Sequence, residues 1–483
     1  MLRLSSTILF AGLLLFCVSD GSAAEMGAVR YHPFIDSLFS PWSNSNSPGA
    51  AVIVIHGGEI VFSKGYGMAS LEHKVPISPQ TVFNVASLAK QFTATCVALL
   101  AEDGTISLDD SFRKYFPEFG EHCSAITLRD LIHHTSGMRD YFSLWFFSGK
   151  EIEDSILKEE VLDVLKRQKA LNFKPRESYS YSNSGYFLLA ELVRRVTGLP
   201  LAEYAERNIF KPLGMKNTRL EQDGAEIVEN LAISYRRKSD STLSVVHLKS
   251  GLMGDGGLLT TVEDMVRWDQ NFYNNRLGNE KFRLIDTLTT SLRLSTGRET
   301  GYAFGMNIGE QSGMRAILHG GTMGGYRSFY RRFPDQNFSV IVLCNLEEMS
   351  PFRLSAQIAD YFLEGDELTE QVPMNQSRNA TENEGPTTTQ KPRSPIVEFV
   401  GSYYSDELNS TINVLAEKEQ LTMKIGYRFE LKPSFVHDDV FRGDGAEWSF
   451  VRDNRGRITG VNASTGRTKN LFFAKKHTAA TRE

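Results

Sequence analysis

"TVFNVASLAKQFTATCVALLAEDG", residues 81–104, is the stretch from which the architecture of this chain can be worked out. Its apolar residues recur at the three- and four-residue spacing of one helix face, and Gly104 is a typical helix end. We therefore predict a helix here, with Ser87 near its first turn and Lys90 one turn further on. Residues three apart lie on one face of a helix, so these two side chains are predicted to be neighbours.

The pairing of Ser87 with Lys90 suits one kind of chemistry. A serine hydroxyl is a poor nucleophile until a base takes its proton, and a desolvated lysine with a lowered pKa can be that base. The N-terminus of a helix also favours negative charge that develops there. Ser-x-x-Lys is a weak pattern by itself, and the chain contains a second one at Ser155–Lys158, which we interpret as an exposed helix face.

A second candidate stretch is "SYSYSNSGYFLLAELVRRVTG", residues 178–198. Its apolar residues have helical spacing from Leu188 onward. Tyr181 and Asn183 come just before, so we place them at the entry of a helix, where polar side chains can face a cleft. Simple helix capping is the alternative interpretation, because Ser and Asn favour that position.

A third stretch, "AILHGGTMGG" at residues 316–325, ends an apolar run with His319 and four glycines. Glycine weakens a strand by removing the side chain that would pack, so the cluster predicts that something comes very close to this backbone. A histidine merely packed at a strand end is the alternative for His319. The chain's other His-Gly-Gly, His56–Gly58, lies between two strand-like runs, and we predict a tight turn there.

The body of the chain, residues 25–365, has strand patterns at both ends and helical patterns between them. A predicted hairpin opens it, helical patterns dominate from 85 to 275, strands return near 302–344, and a last amphipathic helix covers roughly 351–364. This order predicts an α/β fold in which an antiparallel sheet is flanked by helices and carries a helical subdomain.

The first 24 residues have the features of a secretory signal. Arg3 supplies a positive charge, an apolar run follows, and Ser22-Ala23-Ala24 is a small-residue cleavage site. The apolar run is shorter than the roughly 20 residues that cross a bilayer, and no later segment is long and apolar enough to do so. We therefore predict cleavage after Ala24, no membrane span, and a secreted or periplasmic protein.

The end of the body is marked by a change in composition. Residues 366–394 lack aromatic side chains and are rich in Pro, Thr, Asn and Glu, which predicts a flexible linker. Residues 395–478 alternate polar and apolar side chains in about eight short runs, which predicts a small antiparallel β-barrel of lipocalin-like form. This module contains no Cys/His cluster or acid pair with site-like spacing, so we interpret it as a structural or docking module.

Composition excludes several classes of function. The net charge is −5 and there is no long basic run, so no nucleic-acid partner is predicted. The chain has no His-x-x-x-His or related spacing, so neither a metal site nor a cofactor is predicted. It also lacks G-x-S-x-G, which disfavours the α/β-hydrolase fold.

The three cysteines after the signal, Cys96, Cys123 and Cys344, favour buried thiols, with one disulfide as the alternative.

The three motifs together resemble those of one family. Ser87-Leu88-Ala89-Lys90, Tyr181-Ser182-Asn183 and His319-Gly320-Gly321-Thr322 have the order and rough spacing of the serine β-lactamase-like family. That family includes class C β-lactamases, D,D-carboxypeptidases, D-aminopeptidases and related esterases. Further matching stretches are "LIHHTSGM" (131–138), "KPLGMKNT" (211–218), "GDGGLLTTVEDMVRW" (254–268) and "GYAFGM" (301–306).

The resemblance implies a β-lactamase/transpeptidase-like fold and roles for four side chains. Ser87 would be the nucleophile that forms an acyl-enzyme. Lys90 and Tyr181 would share its proton, and Tyr181 would return a proton to the leaving group. Asn183 would hold Lys90 and contribute to substrate binding.

The same resemblance implies roles for the glycine-rich stretch, which would be an edge strand beside the substrate. The backbone N–H groups of Ser87 and Thr322 would form an oxyanion hole, and Gly320 and Gly321 would let the substrate lie against the strand. His319 departs from the Lys-Thr-Gly usual in β-lactamases. It would polarise Tyr181 or meet a substrate carboxylate, with a charge that varies near neutral pH.

The aromatic stretch "RDYFSLWFFSG", residues 139–149, has two interpretations. In relatives this region borders the cleft, so it would be a hydrophobic rim; ordinary core packing is the alternative.

We therefore predict an exported serine hydrolase that acts on the amide or ester bond of a peptide or small molecule. D,D-peptidases, D-aminopeptidases and esterases are the relatives that the motifs most resemble. A weak β-lactamase and a non-catalytic binding protein that retains the fold are the alternatives.

Overall fold

The computed structural model describes residues 31–151, 154, 157–221, 226–248, 254–278, 284–364, 395–417 and 420–476. The predicted signal, residues 1–24, and the predicted linker, residues 366–394, lie outside the described residues. Across the part of the chain that is described, no helix has both the length and the apolar character needed to cross a bilayer.

The body contains short strands and one large sheet. Its strands are β1 (Ala50–His56), β2 (Glu59–Tyr66), β3 (Met68–Ser70), β4 (Val75–Pro76), β5 (Phe83–Asn84), β6 (Arg219–Leu220), β7 (Tyr235–Arg237), β8 (Leu243–Val245), β9 (Leu258–Thr260), β10 (Asn307–Gln311), β11 (Met314–Met323), β12 (Tyr326–Phe333) and β13 (Phe338–Cys344). Six of them form an antiparallel sheet in the order β10-β11-β12-β13-β1-β2. The first and last parts of the body therefore meet in one sheet, which confirms the predicted α/β fold.

The helices of the body cover both faces of this sheet or belong to the helical subdomain. They are α1 (Pro33–Phe39), α2 (Ala89–Glu102), α3 (Phe112–Tyr115), α4 (Leu128–Ile132), α5 (Tyr141–Phe147), α6 (Lys158–Lys166), α7 (Asn183–Thr197), α8 (Leu201–Ala205), α9 (Lys211–Leu213), α10 (Val262–Asn274), α11 (Leu284–Leu288) and α12 (Pro351–Glu364). The last of these has the bounds that the sequence predicts. A π-helical turn, Glu206–Phe210, joins α8 to α9.

Alternation along β1 explains why both faces are covered. Val52 and Val54 belong to a core shared with α1 and α12, whereas Ile53 and Ile55 belong to the core of the helical subdomain. Side chains of a strand point alternately to opposite faces, so a strand that is apolar at successive positions needs cover on both.

The first His-Gly-Gly forms the predicted turn. It joins β1 to β2, and Gly57 and Gly58 have φ of +60° and +82°. A Cβ on either glycine would meet no atom within 4 Å, so backbone conformation, and not space, is what requires glycine.

The described cysteines are all free and buried, which confirms the interpretation as buried thiols.

The C-terminal module is one curled antiparallel sheet. Its strands are β14 (Gly401–Ser405), β15 (Ser410–Glu417), β16 (Gln420–Ile425), β17 (Phe429–Leu431), β18 (Ser434–His437), β19 (Val440–Gly443), β20 (Ala446–Arg452), β21 (Ile458–Ser464) and β22 (Leu471–Lys475). They are ordered β17-β16-β15-β14-β22-β21-β20-β19-β18. The two edge strands, β17 and β18, are not paired with each other, so the predicted barrel has the form of a curled half-barrel.

Helix α5 and the residues before it attach this module to the body. The ring of Phe146 lies 5.2 Å from that of Phe429, and the ring of Phe147 lies 5.4 Å from that of Trp448. Just before the helix, Arg139 and Glu407 form a buried ion pair at 2.7 Å. The aromatic stretch therefore packs between body and module, which confirms the packing interpretation for these two phenylalanines.

Candidate active site

Ser87 is placed by a strained turn between a strand and a helix. After β5, the N–H of Ala86 donates to Asn84 Oδ1 at 2.9 Å, and Ala86 has a φ of +49°. Non-glycine residues rarely adopt this conformation, and it recurs at functional sites where surrounding contacts hold it. A 3₁₀ turn, Ala86–Leu88, then leads into α2, with Ser87 half-buried at its start. Helix α2 therefore begins at Ala89, some residues into the quoted stretch, because residues 83–84 pair with β9.

Lys90 is fully buried and reaches Ser87 from one turn along. Its Nζ donates to Ser87 Oγ at 3.1 Å, to Asn183 Oδ1 at 2.9 Å and to the carbonyl oxygen of Asp255 at 2.6 Å. An ammonium has three donors, which these acceptors use. A neutral amine has two, and if Asn183 and Asp255 take both, the lone pair faces Ser87 Oγ. The geometry therefore lets Lys90 act as a base for the Ser87 hydroxyl.

The surroundings of Lys90 favour that neutral amine. Burial lowers its pKa from 10.5 to about 8, because a cation loses its hydration in the interior. The charges of Asp255 and Asp140 raise the pKa and the charge of Arg467 lowers it. Burial also raises the pKa of Asp255 to about 6, so this carboxylate is ionised in the range where Lys90 loses its proton.

Asp140 fixes the orientation of Asn183. Its Oδ2 accepts from both the backbone N–H and the Nδ2 of Asn183, at 2.6 and 2.9 Å, which leaves Oδ1 of that amide to face Lys90. Its Oδ1 accepts from the N–H of Phe142 and so caps α5. Asp140 was not predicted from the sequence; an acidic residue directly before an aromatic helix is the capping signal that points to it.

Tyr181 lies beside Lys90 at the candidate nucleophile. Lys90 Nζ is 5.0 Å from the centroid of the Tyr181 ring. Burial raises the pKa of the phenol well above its usual value of 10, while the nearby Ser87 hydroxyl and the charge of Arg467 act in the opposite direction. Tyr181 therefore stays protonated near neutral pH, and of the two groups predicted to share the serine proton, Lys90 is the one suited to accept it.

The C-terminal module supplies one charge to this site. The guanidinium carbon of Arg467, in the segment between β21 and β22, lies 4.8 Å from the centroid of the Tyr181 ring. The backbone oxygen of Arg467 accepts from the N–H of Asp140 at 3.2 Å. The sequence analysis found no site-like residue in this module, since a lone arginine has no local pattern; only the docking of the two parts brings it to Tyr181.

His319 is bonded to Tyr302 and not to Tyr181. Its Nδ1 lies 2.7 Å from the carbonyl oxygen of Gly320, and its Nε2 lies 3.1 Å from the hydroxyl of Tyr302. Burial, with the nearby charge of Lys90, lowers its pKa to about 3. The expectation that the charge of His319 varies near neutral pH is therefore wrong, because the buried imidazole is neutral there.

The glycine-rich stretch is the open edge of the large sheet. Strand β10 pairs with β11 only as far as Leu318, so within the described residues the part from His319 to Met323 pairs with β12 alone. A Cβ on Gly321 would lie 2.1 Å from the carbonyl oxygen of Val85, and one on Gly320 would lie 2.9 Å from the ring of Phe329. The predicted close approach is thus made by the protein's own atoms. Contact of these glycines with a substrate, and the oxyanion role of Thr322, stay predictions.

Gly321→Ala is expected to lower the free energy of unfolding by about 1–3 kcal/mol or more, since the new methyl group forces β11 away from the turn that carries Ser87. Thermal and urea unfolding would measure this. Gly309→Ala in neighbouring β10 is the matched control, because a Cβ there meets nothing within 4 Å. Equal stability of the two variants would show that the approach to Val85 is not close enough to exclude a methyl group.

The structure thus joins Ser87, Lys90 and Asn183 by hydrogen bonds, with the rings of Tyr181 and His319 close by. The ring centroids of Tyr181 and His319 are 6.2 Å apart. Among the described residues there is no group of three or more His, Cys, Asp and Glu side chains that could hold a metal ion.

Comparison with known sequences identifies relatives that match most of the chain. Penicillin-binding protein 4* of Bacillus subtilis is 27% identical over 421 residues, which cover 83% of this chain and 89% of that protein. D-aminopeptidase of Brucella ovis is 32% identical over 305 residues. That match covers 63% of this chain and 57% of the D-aminopeptidase, so the chain matches little more than half of that enzyme.

Solved structures share the fold. An octameric penicillin-binding protein homologue from Pyrococcus abyssi superposes with a TM-score of 0.62 at 22% identity, covering 92% of this chain and 99% of that one. The D-amino acid amidase of Ochrobactrum anthropi superposes with a TM-score of 0.57 at 21% identity, covering 68% of this chain and 97% of the amidase. The profile of one protein family, described as Beta-lactamase, matches residues 35–361. This match covers more than half of the chain and agrees with the geometry around Ser87, so the chain belongs to the Beta-lactamase family.

Proposed function

We propose that this protein is an exported serine hydrolase that cleaves an amide or ester bond through an acyl-enzyme on Ser87. The observation that carries the proposal is the 3.1 Å hydrogen bond between Lys90 Nζ and Ser87 Oγ, with Lys90 buried and its pKa lowered to about 8. Export is proposed from the signal-like composition of residues 1–24.

In the proposed acylation step, neutral Lys90 takes the Ser87 proton while Oγ attacks the carbonyl carbon of the substrate. The oxyanion is stabilised by the backbone N–H groups of Ser87 and Thr322, and such a donor is worth about 3–4 kcal/mol in the transition state. When the tetrahedral intermediate collapses, the bond to the leaving group breaks and the Tyr181 hydroxyl gives it a proton. The ammonium of Lys90 then restores the proton of Tyr181.

Deacylation runs through the same groups. Water attacks the acyl-enzyme ester and gives a proton to neutral Lys90, the ester bond to Oγ breaks, and the ammonium of Lys90 returns that proton to Oγ. Free enzyme and a carboxylic acid product result, so no cofactor is consumed in the proposed cycle.

The proposed substrate class is an amide or short peptide that carries a D-residue. Two of the similar proteins have names that refer to such compounds, a D-aminopeptidase and a D-amino acid amidase. A simple ester is the second candidate, because the same acyl-enzyme chemistry needs less help from an acid when the leaving group is good. β-Lactam hydrolysis is the weaker candidate, since His319 occupies the position where β-lactamases usually carry lysine.

A panel of chromogenic substrates tests this proposal. Residues 25–483 would be assayed with D- and L-alanine and D- and L-phenylalanine p-nitroanilides, p-nitrophenyl acetate and a chromogenic cephalosporin, with mass spectrometry of the quenched enzyme. We expect faster hydrolysis of the D-anilides than of their L-enantiomers, and an acyl adduct on the peptide that contains Ser87. A preference for L-anilides would contradict the substrate class, whereas absence of turnover and of any adduct would contradict the hydrolase.

The pH dependence of kcat/KM is expected to report Lys90. Because the neutral amine is the base, activity should rise with pH through an apparent pKa of about 8. Asp255→Asn removes an anion that raises the pKa of Lys90, so the rise should move to lower pH. Arg467→Gln removes a cation that lowers this pKa, so the rise should move to higher pH. Profiles of the three proteins with p-nitrophenyl acetate measure the shifts, and shifts in the same direction for both variants would contradict the assignment.

A further inference from the structure

His134 has an unusual backbone for a buried residue that is not glycine. It follows α4 in the stretch "LIHHTSGM", its φ is +58°, and its side chain is almost inaccessible to solvent. This left-handed conformation is uncommon for residues other than glycine, although asparagine, aspartate and histidine adopt it more often than the rest, and it persists where the surrounding contacts compensate for its cost. The contacts of His134 therefore show what the conformation achieves.

Two of those contacts are hydrogen bonds to the residues on either side of Tyr181 in the sequence. The carbonyl oxygen of His134 accepts from the N–H of Ser180 at 3.0 Å, and its Nδ1 accepts from the N–H of Ser182 at 3.1 Å. The residue before Tyr181 and the residue after it are thus both bonded to one residue, by its backbone and by its side chain.

The same loop continues this pairing away from Tyr181. The carbonyl oxygen of Thr135 accepts from the N–H of Arg176 at 2.9 Å, and that of Gly137 accepts from the N–H of Asn172 at 2.7 Å. The loop therefore holds the whole segment that leads into α7, and His134 is the member of it that uses a side chain to do so.

The imidazole also packs against the Tyr181 ring. The two ring centroids are 4.3 Å apart, and the ring of Tyr302 lies 4.5 Å from the imidazole on another side. Because Nδ1 accepts a hydrogen bond, the ring proton is on Nε2 and the imidazole is neutral. This agrees with burial, which lowers the pKa of His134 well below its usual 6.5.

We propose that His134 is a positioning residue that fixes the backbone and ring of Tyr181, so that the Tyr181 hydroxyl can protonate the leaving group. The inference deepens the proposed function and rests on it. A purely structural role of His134 would give a different pattern of rates when the residue is replaced. General disorder of the site would slow all substrates alike, whereas misplacement of the proton donor would slow the substrates whose leaving group needs a proton.

The test therefore compares two substrates with the same D-phenylalanyl group, a p-nitroanilide and a p-nitrophenyl ester. p-Nitrophenolate leaves without protonation, whereas the anilide nitrogen needs a proton as its bond breaks. The measured quantity is the ratio of the two kcat/KM values, anilide over ester. This ratio does not depend on the fraction of the protein that is folded, so a variant of reduced stability still gives a usable result.

Two variants separate the Nδ1 contact from the backbone conformation. Glycine and asparagine both tolerate a φ near +58° at this position. Glycine has no side-chain acceptor. In asparagine, Oδ1 is bonded to Cγ as Nδ1 is in histidine, so it can accept the same hydrogen bond. We expect the ratio to fall at least about tenfold in His134→Gly and to stay within about threefold of the wild-type value in His134→Asn. Tyr181→Phe is the reference, with a fall of about 100-fold or more.

A wild-type ratio in His134→Gly would overturn the proposal, and so would an equal fall in both His134 variants, because the Nδ1 contact would then not be what matters. These results differ from a failure of the proposed function. In that case the wild-type protein would cleave neither substrate, or Tyr181→Phe would leave the ratio unchanged, and the role of His134 would fall with it.

Discussion

Ser87→Ala is expected to lower kcat/KM by about 10⁴-fold or more for every substrate that the wild-type protein hydrolyses, because no other group can form the acyl-enzyme. The nearest candidates have other tasks: Tyr181 is a phenol whose pKa is raised above its usual value, and Lys90 is the proposed base for the missing hydroxyl, hydrogen-bonded to it in the wild-type protein. Steady-state rates and mass spectrometry of the quenched enzyme measure the effect, and the variant should give no acyl adduct.

The same variant is expected to fold normally. It loses one hydrogen bond, worth about 1 kcal/mol, and the Lys90 amine keeps its bonds to Asn183 and Asp255. A thermal melt within a few degrees of the wild-type curve, about the shift that 1 kcal/mol produces, is the control. Activity close to wild type in a normally folded Ser87→Ala protein would remove the serine from the mechanism.

Lys90→Met is expected to lower kcat/KM by about 10²- to 10⁴-fold, the usual contribution of a general base. Methionine has a similar length and removes both the base and its charge. Part of the loss should be recovered by hydroxide, so the residual activity should rise with pH without the limb near 8 that Lys90 produces in the wild-type protein. Rates measured across this pH range test both statements.

Lys158→Met is the matched control for Lys90→Met. Lys158 belongs to the second Ser-x-x-Lys of the chain; Ser155 lies outside the described residues. Lys158 is the first residue of α6 and forms an ion pair with buried Glu191 at 2.5 Å, so it is partly covered and not the exposed position that the pattern predicts. Loss of this ion pair should lower the free energy of unfolding and leave kcat/KM within about threefold of the wild-type value. Equal losses of activity in the two lysine variants would contradict the assignment of Lys90.

The features predicted from sequence depend on short-range rules. The Ser87–Lys90 contact follows from one helical turn, the turn at His56–Gly58 follows from glycine conformations, and α12 follows from helical spacing over residues 351–364. Antiparallel alternation indicated the C-terminal sheet in the same way, although its closure was predicted and its edges remain open. Each of these signals is complete within about 15 residues, so tertiary contacts have little opportunity to override it.

The sequence by itself thus determined the fold class and, through its resemblance to a known family, predicted the candidate nucleophile and base. The tertiary structure alone decided what surrounds them: Asp140 against Asn183, Arg467 against Tyr181, and the carbonyl oxygen of Val85 against Gly321. It also decided the neutral state of His319, since a pKa depends on desolvation, and desolvation on the whole packed environment. These contacts join residues that are far apart in the chain, and their partners are selected by packing and burial, which no local pattern records.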